Sequence, residues 1–491
     1  HRVALPPPRR TAPSGDPALR LLEPVVECNP RSFSAFGYDM REKLGSLAQG
    51  CSNWSLVALV FVLPSGRHWV VYSPQVHVAH LAYYEPVLYA TDLLLCTSIG
   101  CWLLARFLKP VRIRLQWGPV FFAVPLLGFL LLAVLSVSSA VNSGYAAFPI
   151  ARLLLMLIFY LMLVNTPLHR DQIAWSLGAA MVVQAAVSVP QFLLGHTAGL
   201  HQLGEIPNDS RWPGASVIAL GERRWLRAYG LTQHPNVLGG LAMTSLLIAT
   251  GFYLRQVGLR WVVLLGLLAT SLGTLLLTFS RSAWVGTAAG GIALVGLLLW
   301  VPRAKTRSIR KSAVWPLVAM VLAVVLTFAS LVWPLLVPRL GLASEGVEIR
   351  SVEERLILGD AALGLIQMRP WFGVGLGGFS AALYRLTPEA VSYYAEFMPV
   401  HNIIFLVAAE LGILGGLLWL CLVVSPWLAL WMQRRQLRMT PWWAGLCGAM
   451  AALTVAGFFD HYPWSFQQGR LIFWLVWGLW AREWARSACS R

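Results

Sequence analysis

Apolar runs close to the length of a membrane-crossing helix recur along this chain, and no other feature restricts its fold as severely. A helix needs about 20 such residues to span the hydrocarbon core, where every backbone N–H and C=O must be satisfied inside the segment. Hydropathy places runs near 46–64, 86–106, 115–140, 147–165, 171–193, 233–254, 260–279, 282–301, 315–337, 400–422, 442–459 and 469–486. The fold class implied is an all-α polytopic membrane protein with about 12 transmembrane helices. Composition agrees, since 57% of residues are hydrophobic and only 12% are charged, too few charges to coat a soluble domain of 491 residues. Trp261, Trp300, Trp315, Trp333, Trp442, Trp443 and Trp484 fall near run ends, where amphipathic rings favour the headgroup level. The seven cysteines show no metal-ligand spacing and read as reduced packing residues.

A net charge of +17 would suit a nucleic-acid partner, but it has to be placed on the topology first. The connections after every second run hold "RFLKPVRIR" (106–114), "LHR" (168–170), "RQVGLR" (255–260), "PRAKTRSIRK" (302–311), "RRQLR" (434–438) and the basic tail 482–491. The positive-inside rule makes those ends cytoplasmic. Much of the basic excess is therefore a topology signal, and no nucleic-acid partner is expected. Residues 1–45 are Pro- and Arg-rich without an apolar core of signal-peptide length, so a flexible cytoplasmic N-terminal tail is expected ahead of a transmembrane domain over 46–491. Both termini then face the cytoplasm.

Two long connections fall on the opposite side, 194–232 and 338–399, and loops of that length in a compact protein are functional or disordered. The larger is expected to be partly helical over 352–368, with Leu356, Gly359, Leu363 and Ile366 near one face. It ends at "RPWFGVGLGGF". The "GVGLGG" portion (373–378) resembles a phosphate-binding loop but lacks the strand before it and the Lys-Ser/Thr or helix after it, so a tight turn is the expectation.

Three arginines stand on the side that membrane proteins keep poor in Arg: Arg227, Arg281 and Arg355. Snorkelling, or pairing of Arg355 with Glu353 or Glu354, would explain each singly. Arg281 has no acidic neighbour in its very short connection, and a guanidinium held at the membrane boundary matches phosphate oxygens through its planar fork. Several converging would form a pyrophosphate clamp. On the same side, "HNIIFLVAAELGILGG" (401–416) opens with His401, which suits a general base or a structural role at a helix entrance. Asn402 could orient that His or the acceptor, or cap the helix. Glu410 lies about 2.5 turns further on, on the opposite face, and is expected to bond a neighbouring helix while Gly412, Gly415 and Gly416 allow close packing.

The segments "SRSAWVG", "ERLILGDAALGLIQMRPWFGVGLGGF" and "HNIIFLVAAELGILGG", in that order, resemble the signature of the O-antigen ligase and polymerase superfamily, bacterial membrane glycosyltransferases of the C-type fold class. The resemblance is strong over 230–420 and rests elsewhere on span count. It implies that His401 is the base, that Arg281 and Arg355 bind the donor pyrophosphate, and that Arg227 is a third such residue. It implies no metal and no other cofactor, and the outer loops carry no Asp-x-Asp, only scattered His pairs such as His77 and His80. The implied reaction is inverting, metal-independent transfer of a glycan from an undecaprenyl-pyrophosphate-linked donor to an acceptor hydroxyl. The leading acceptor is lipid A-core in lipopolysaccharide assembly, with repeat-unit polymerisation or transfer to a protein hydroxyl as alternatives. The implied location is the bacterial inner membrane with the active site facing the periplasm. A transporter of lipid-linked glycan is the reading from a different class; it would favour internal repeats and midplane charges, and no convincing repeat is evident.

Overall fold

The structure, a computed structural model, describes residues 30–71, 86–108, 114–141, 143–300, 309–342, 346–386 and 398–489. Parts of the expected basic connections 106–114 and 302–311, His77 and His80, and residues 1–29 of the expected tail lie outside the described residues. The described chain is helical: α1 (Pro30–Val62), α2 (Ala90–Leu108), α3 (Val120–Leu135), α4 (Ser143–Asn165), α5 (Arg170–Leu194), α6 (Pro235–Tyr253), α7 (Leu259–Leu277) and α8 (Arg281–Trp300) come first. Then follow α9 (Lys311–Arg339), α10 (Gly346–Met368), α11 (Phe379–Leu386), α12 (Ile403–Met432), α13 (Pro441–Gly457), α14 (Tyr462–Ser465) and α15 (Gln467–Cys489). Two small antiparallel hairpins accompany them, β1 (His68–Val70) with β2 (Val87–Tyr89), and β3 (Val217–Leu220) with β4 (Arg223–Leu226).

Ten helices among the described residues are long and apolar enough to cross a membrane: α1 from Met40, α2, α3 with its 3-10 extension to Ser139, α4 to α9, and α12. The two further runs expected to span are the helices α13 and α15. The first has 17 residues, and the second carries Arg470, Arg482 and Glu483, which lowers its hydropathy. Helix α1 begins at Pro30, inside the expected tail, in keeping with the preference for proline at the first helical position.

Helix α6 is buried on almost every face, enclosed by α5, α7, α8 and α13. Small residues make this possible. A Cβ on Gly290 of α8 would stand 2.5 Å from the Gly448 carbonyl of α13, and one on Gly251 of α6 would stand 2.3 Å from that of Pro441. Such backbone approach is how helices gain dispersion contact where lipid removes the hydrophobic drive. Trp442, Trp443 and Trp484 sit in this interior rather than at a headgroup level, alongside Trp477 and Trp480, whereas Trp300, Trp315 and Trp333 are exposed as anchors should be. Position near a run end did not separate the two sets, because α13, and α15 as far as Trp484, are enclosed. Cys51, Cys96, Cys101, Cys421 and Cys447 are free thiols.

The ends of the bundle differ in chemistry. At one end Arg170 on α5 makes a bidentate pair with Glu483 on α15, at 3.1 and 2.6 Å, and Arg482 donates to the Leu168 carbonyl. Arg310 donates there to the Gln256 carbonyl. The other end gathers residues 63 to 71 and 86 to 89 with the connections 195 to 234, 278 to 280, 369 to 378, 398 to 402 and 458 to 466. Gly66 N–H donates to Leu231, Ser65 Oγ to Leu203, Ser139 Oγ to Phe372, and Asn402 Nδ2 to Phe458.

The glycine-rich segment "GVGLGG" is a turn, and it has a structural purpose. Helix α12 breaks at Gly412, where φ is 80° and ψ 174°, and the segment inserts against the break. Val374 N–H donates to Ala409 O, Gly375 N–H to Glu410 O, and Ile413 N–H to Pro370 O, so groups released by the break are satisfied by the loop. Glu410 completes the joint, accepting from Trp464 Nε1 at 2.9 Å and from the N–H groups of Gly377 and Phe379. The partner expected on a neighbouring helix is thus Trp464 of α14. Helix α10 packs through Leu358, Ala362 and Leu365, while Leu356 and Leu363 of the expected face are exposed. Ile366 of the expected face also packs against this cluster, whose partners arrive from α11 and α12, so the sequence pattern marked the stripe in part.

Candidate active site

The site is organised around a carboxylate that sequence reasoning passed over. Asp460 lies in "FFDHYP", the connection between α13 and α14, and is buried. Its Oδ1 accepts from the N–H of His461 at 2.9 Å, and its Oδ2 accepts from Asn236 Nδ2 at 2.5 Å. Asn236 stands in the first turn of α6, where Pro235 occupies the first helical position and the His234 imidazole caps by accepting the Asn236 N–H at 3.1 Å. Asn236 Oδ1 in turn accepts from Arg227 Nη2 at 2.6 Å. Arg227, His234, Asn236 and Asp460 are thereby joined in one hydrogen-bonded chain.

Arg227 has a second duty. Its Nε donates to Thr278 O at 2.7 Å, and Arg339, at the end of α9, donates from Nε to Phe279 O at 2.7 Å. Both guanidinium groups are buried. They hold the turn between α7 and α8, where Phe279 takes a left-handed conformation (φ 47°) that a bulky residue adopts only when its surroundings impose it. The Phe279 ring is locked among Phe192, Ile218, Leu335 and Leu336. Arg281, half-buried, begins α8 directly after this turn. Gly239 lets α6 approach the same turn, since a Cβ there would stand 2.9 Å from Ala283 Cβ and 3.1 Å from Ser280 Cβ.

His401 precedes α12. Its ring meets that of His461 edge-on, with centroids 5.1 Å apart, and its Nδ1 is buried without a hydrogen-bond partner among the described residues. A buried nitrogen without a partner is costly in a resting protein and is the kind of atom that a substrate hydroxyl completes. His461 is held by Ser465, whose Oγ lies 2.5 Å from Nδ1. Asn402 is the N-cap of α12: its Oδ1 accepts from the N–H groups of Ile404 and Phe405 at 2.9 and 3.2 Å. Of the two roles open to Asn402 in sequence, capping is the one its geometry displays. Arg355, half-buried on α10, lies within electrostatic reach of His401, Asp460 and His461.

These charges set the protonation states. Burial pushes the His401 imidazole below its ordinary value, Asp460 opposes and Arg355 adds to the fall. His461 is driven down to about 3 by burial and by His401, and His234 to about 3 by burial and Arg227. Burial works to raise the Asp460 carboxyl, but the imidazoles of His461, His401 and His234, with Arg355, outweigh it and leave the group below its ordinary range. The site at neutral pH therefore holds neutral imidazoles, one carboxylate and guanidinium groups. Among the described residues no three His, Cys, Asp or Glu side chains are arranged to hold a metal ion.

Of the residues marked in sequence, Arg227, Arg355, His401 and Asn402 are gathered around this centre, and Arg281 follows the turn that Arg227 braces. Asp460, His461, His234 and Arg339 were not marked. A signal existed for the first two: an Asp-His pair in the connection between two apolar runs falls, by alternation, at the same end as His401.

A helix bundle with a guanidinium- and imidazole-lined centre at its less basic end defines a polytopic membrane enzyme. Residues 266–420 match the family model described as O-Antigen ligase, so the chain carries that enzyme domain. The matched stretch includes Arg281, Arg339, Arg355, His401 and Glu410, whereas Arg227, His234 and Asp460 reach the centre from outside it. A comparison with curated proteins finds no match. Glycan transfer within the membrane is the activity the family implies.

Proposed function

We propose that this protein transfers a glycan from an undecaprenyl-pyrophosphate-linked donor to an acceptor hydroxyl, with lipid A-core as the leading acceptor, at the periplasmic face of a bacterial inner membrane. The observation that carries the proposal is the buried, unpartnered Nδ1 of His401 beside the His461 and Asp460 pair, within reach of Arg355. Orientation is supported by the concentration of Arg170, Arg255, Arg260, Arg310, Arg434 and Arg435 at or near the opposite bundle end, which the positive-inside rule assigns to the cytoplasm.

In the proposed step the acceptor oxygen attacks the anomeric carbon, its proton passes to the neutral His401 imidazole, and the carbon–oxygen bond to pyrophosphate breaks with both electrons leaving on the phosphate. Attack from the face opposite the leaving group inverts the centre. Arg281 and Arg355 stabilise the charge that grows on the departing phosphate, a role that a divalent ion fills elsewhere. Asp460 keeps His401 from losing all basicity beside Arg355, and Arg227 acts from behind by holding the turn that presents Arg281.

The test is reconstitution of the purified chain in lipid with an undecaprenyl-pyrophosphate glycan, offering lipid A-core, a repeat-unit acceptor or an acceptor protein in parallel. Glycosylated lipid A-core from wild-type protein, and none from a His401→Ala variant with an unchanged melting temperature, is the expected result. Near-normal turnover by that variant would refute the base assignment, and product only with another acceptor would reassign the reaction within the family.

A further inference from the structure

Next to the His401 centre a cleft of about 330 Å³ opens between α4, α15, the β1–β2 hairpin and the glycine-rich segment, and the reaction as derived leaves it unused. Arg152 and Arg470 face it from α4 and α15, and Gln233, His234, Ser465 and Gln467 complete its polar wall. Arg152 is already neutralised: its Nη1 and Nη2 bond Asp92 at 3.0 and 2.9 Å. Arg470 is not. Its Nε and Nη2 donate to the carbonyls of Trp464 and Ser465, and it forms no ion pair among the described residues. A cation thus stands in the wall with one edge of its guanidinium still to be used.

The two glutamines supply the complementary chemistry. Gln467 Nε2 is committed to Asp92 at 2.7 Å and Gln233 Nε2 to Tyr89 Oη at 2.9 Å. Each leaves a carbonyl Oε1 that is buried and has no hydrogen-bond partner among the described residues, and Gln467 is only 1% exposed. Buried carbonyl oxygens left in this way accept from O–H or N–H donors. One anion-binding edge, two acceptors for hydroxyls and an aromatic flank at Phe466 describe a site for a saccharide that bears a negative charge. The cleft communicates with the base through Ser465, whose Oγ contacts His461, the ring against His401.

We infer that this cleft binds the acceptor through an anionic sugar unit, one carrying phosphate or carboxylate, with Arg470 meeting the charge and Gln233 and Gln467 meeting hydroxyls. The inference rests on the transferase reading and deepens it. The donor's pyrophosphate is assigned to Arg281 and Arg355 on other elements, so the two substrates approach His401 from different walls.

The experiment measures binding to the full chain in nanodiscs, with no donor present. The probes are core oligosaccharide bearing its phosphate and carboxylate groups, the same oligosaccharide after dephosphorylation and carboxyl reduction, and undecaprenyl pyrophosphate. Arg470→Gln should weaken the anionic oligosaccharide about tenfold or more, the loss expected for one charge-assisted bond, and leave the neutral form and undecaprenyl pyrophosphate unchanged. Gln233→Leu keeps the cation and should weaken both oligosaccharides alike, which guards against misfolding of the Arg470 variant. Equal binding of charged and neutral oligosaccharide by the wild type, or loss confined to undecaprenyl pyrophosphate in Arg470→Gln, would overturn the inference. If binding follows the expected pattern yet no donor supports transfer, the site stands and the transferase reading fails. If transfer proceeds and Arg470→Gln binds as the wild type does, the reverse holds.

Discussion

Arg227→Ala separates a brace from a clamp. The guanidinium bonds Thr278 O and Asn236 Oδ1 inside the protein, so truncation leaves two buried acceptors without their donor. Hydrogen bonds to charged groups contribute about 1.5–3 kcal/mol each, which puts the loss at about 3–6 kcal/mol. Unfolding entropy grows with chain length, and for a chain of 491 residues each kcal/mol moves the midpoint by about 1 °C. The expected result is a fall of about 3–6 °C in the melting temperature of detergent-purified protein, followed by intrinsic Trp fluorescence. Transfer should fall with it, because the turn ahead of Arg281 and the Asn236 contact to Asp460 both loosen. Arg227→Lys, which can reach one acceptor at a time, should recover about half the stability. An unchanged midpoint with a raised KM for the lipid-linked donor would refute the argument and make Arg227 a direct phosphate ligand.

Because burial lowers the His401 pKa, its free-base form persists below the ordinary histidine range; the acid limb of kcat/KM against pH should lie below about 6.5, and a limb at or above that value would contradict the assignment. Arg281→Lys and Arg355→Lys should lose single-turnover transfer nearly as fully as the alanine variants, since Lys keeps the charge but not the bidentate fork; their double variant should be far from additive, and full activity in both Lys variants would sink the clamp. Gly412→Ala should destabilise by at least about 1–3 kcal/mol, as φ is 80° and a Cβ would stand 2.2 Å from Trp371 O; a wild-type melting curve would mean the break in α12 is dispensable. Incubation with EDTA should leave turnover unchanged, and a loss restored by magnesium or manganese would reject charge stabilisation by guanidinium groups alone.

Periodic burial in lipid leaves a one-dimensional trace, and the sequence alone determined what depends on it. Each expected span is a helix, and the apolar runs located ten of them as long enough to cross. Arg281 and His401 were legible for the same reason: polar groups at the ends of apolar runs stand out against a strict background. What the runs could not convey is which residues meet across helices. Asp460 joins Asn236, 224 positions earlier, and Arg339 joins Phe279, 60 positions earlier, through bonds that exist only once the bundle ends converge. Trp442 and Trp443 look like surface anchors until α13 is seen enclosed. Glu410 and "GVGLGG" make separate puzzles in sequence and a single joint in space, because a broken helix must find its hydrogen bonds elsewhere and only tertiary structure decides where.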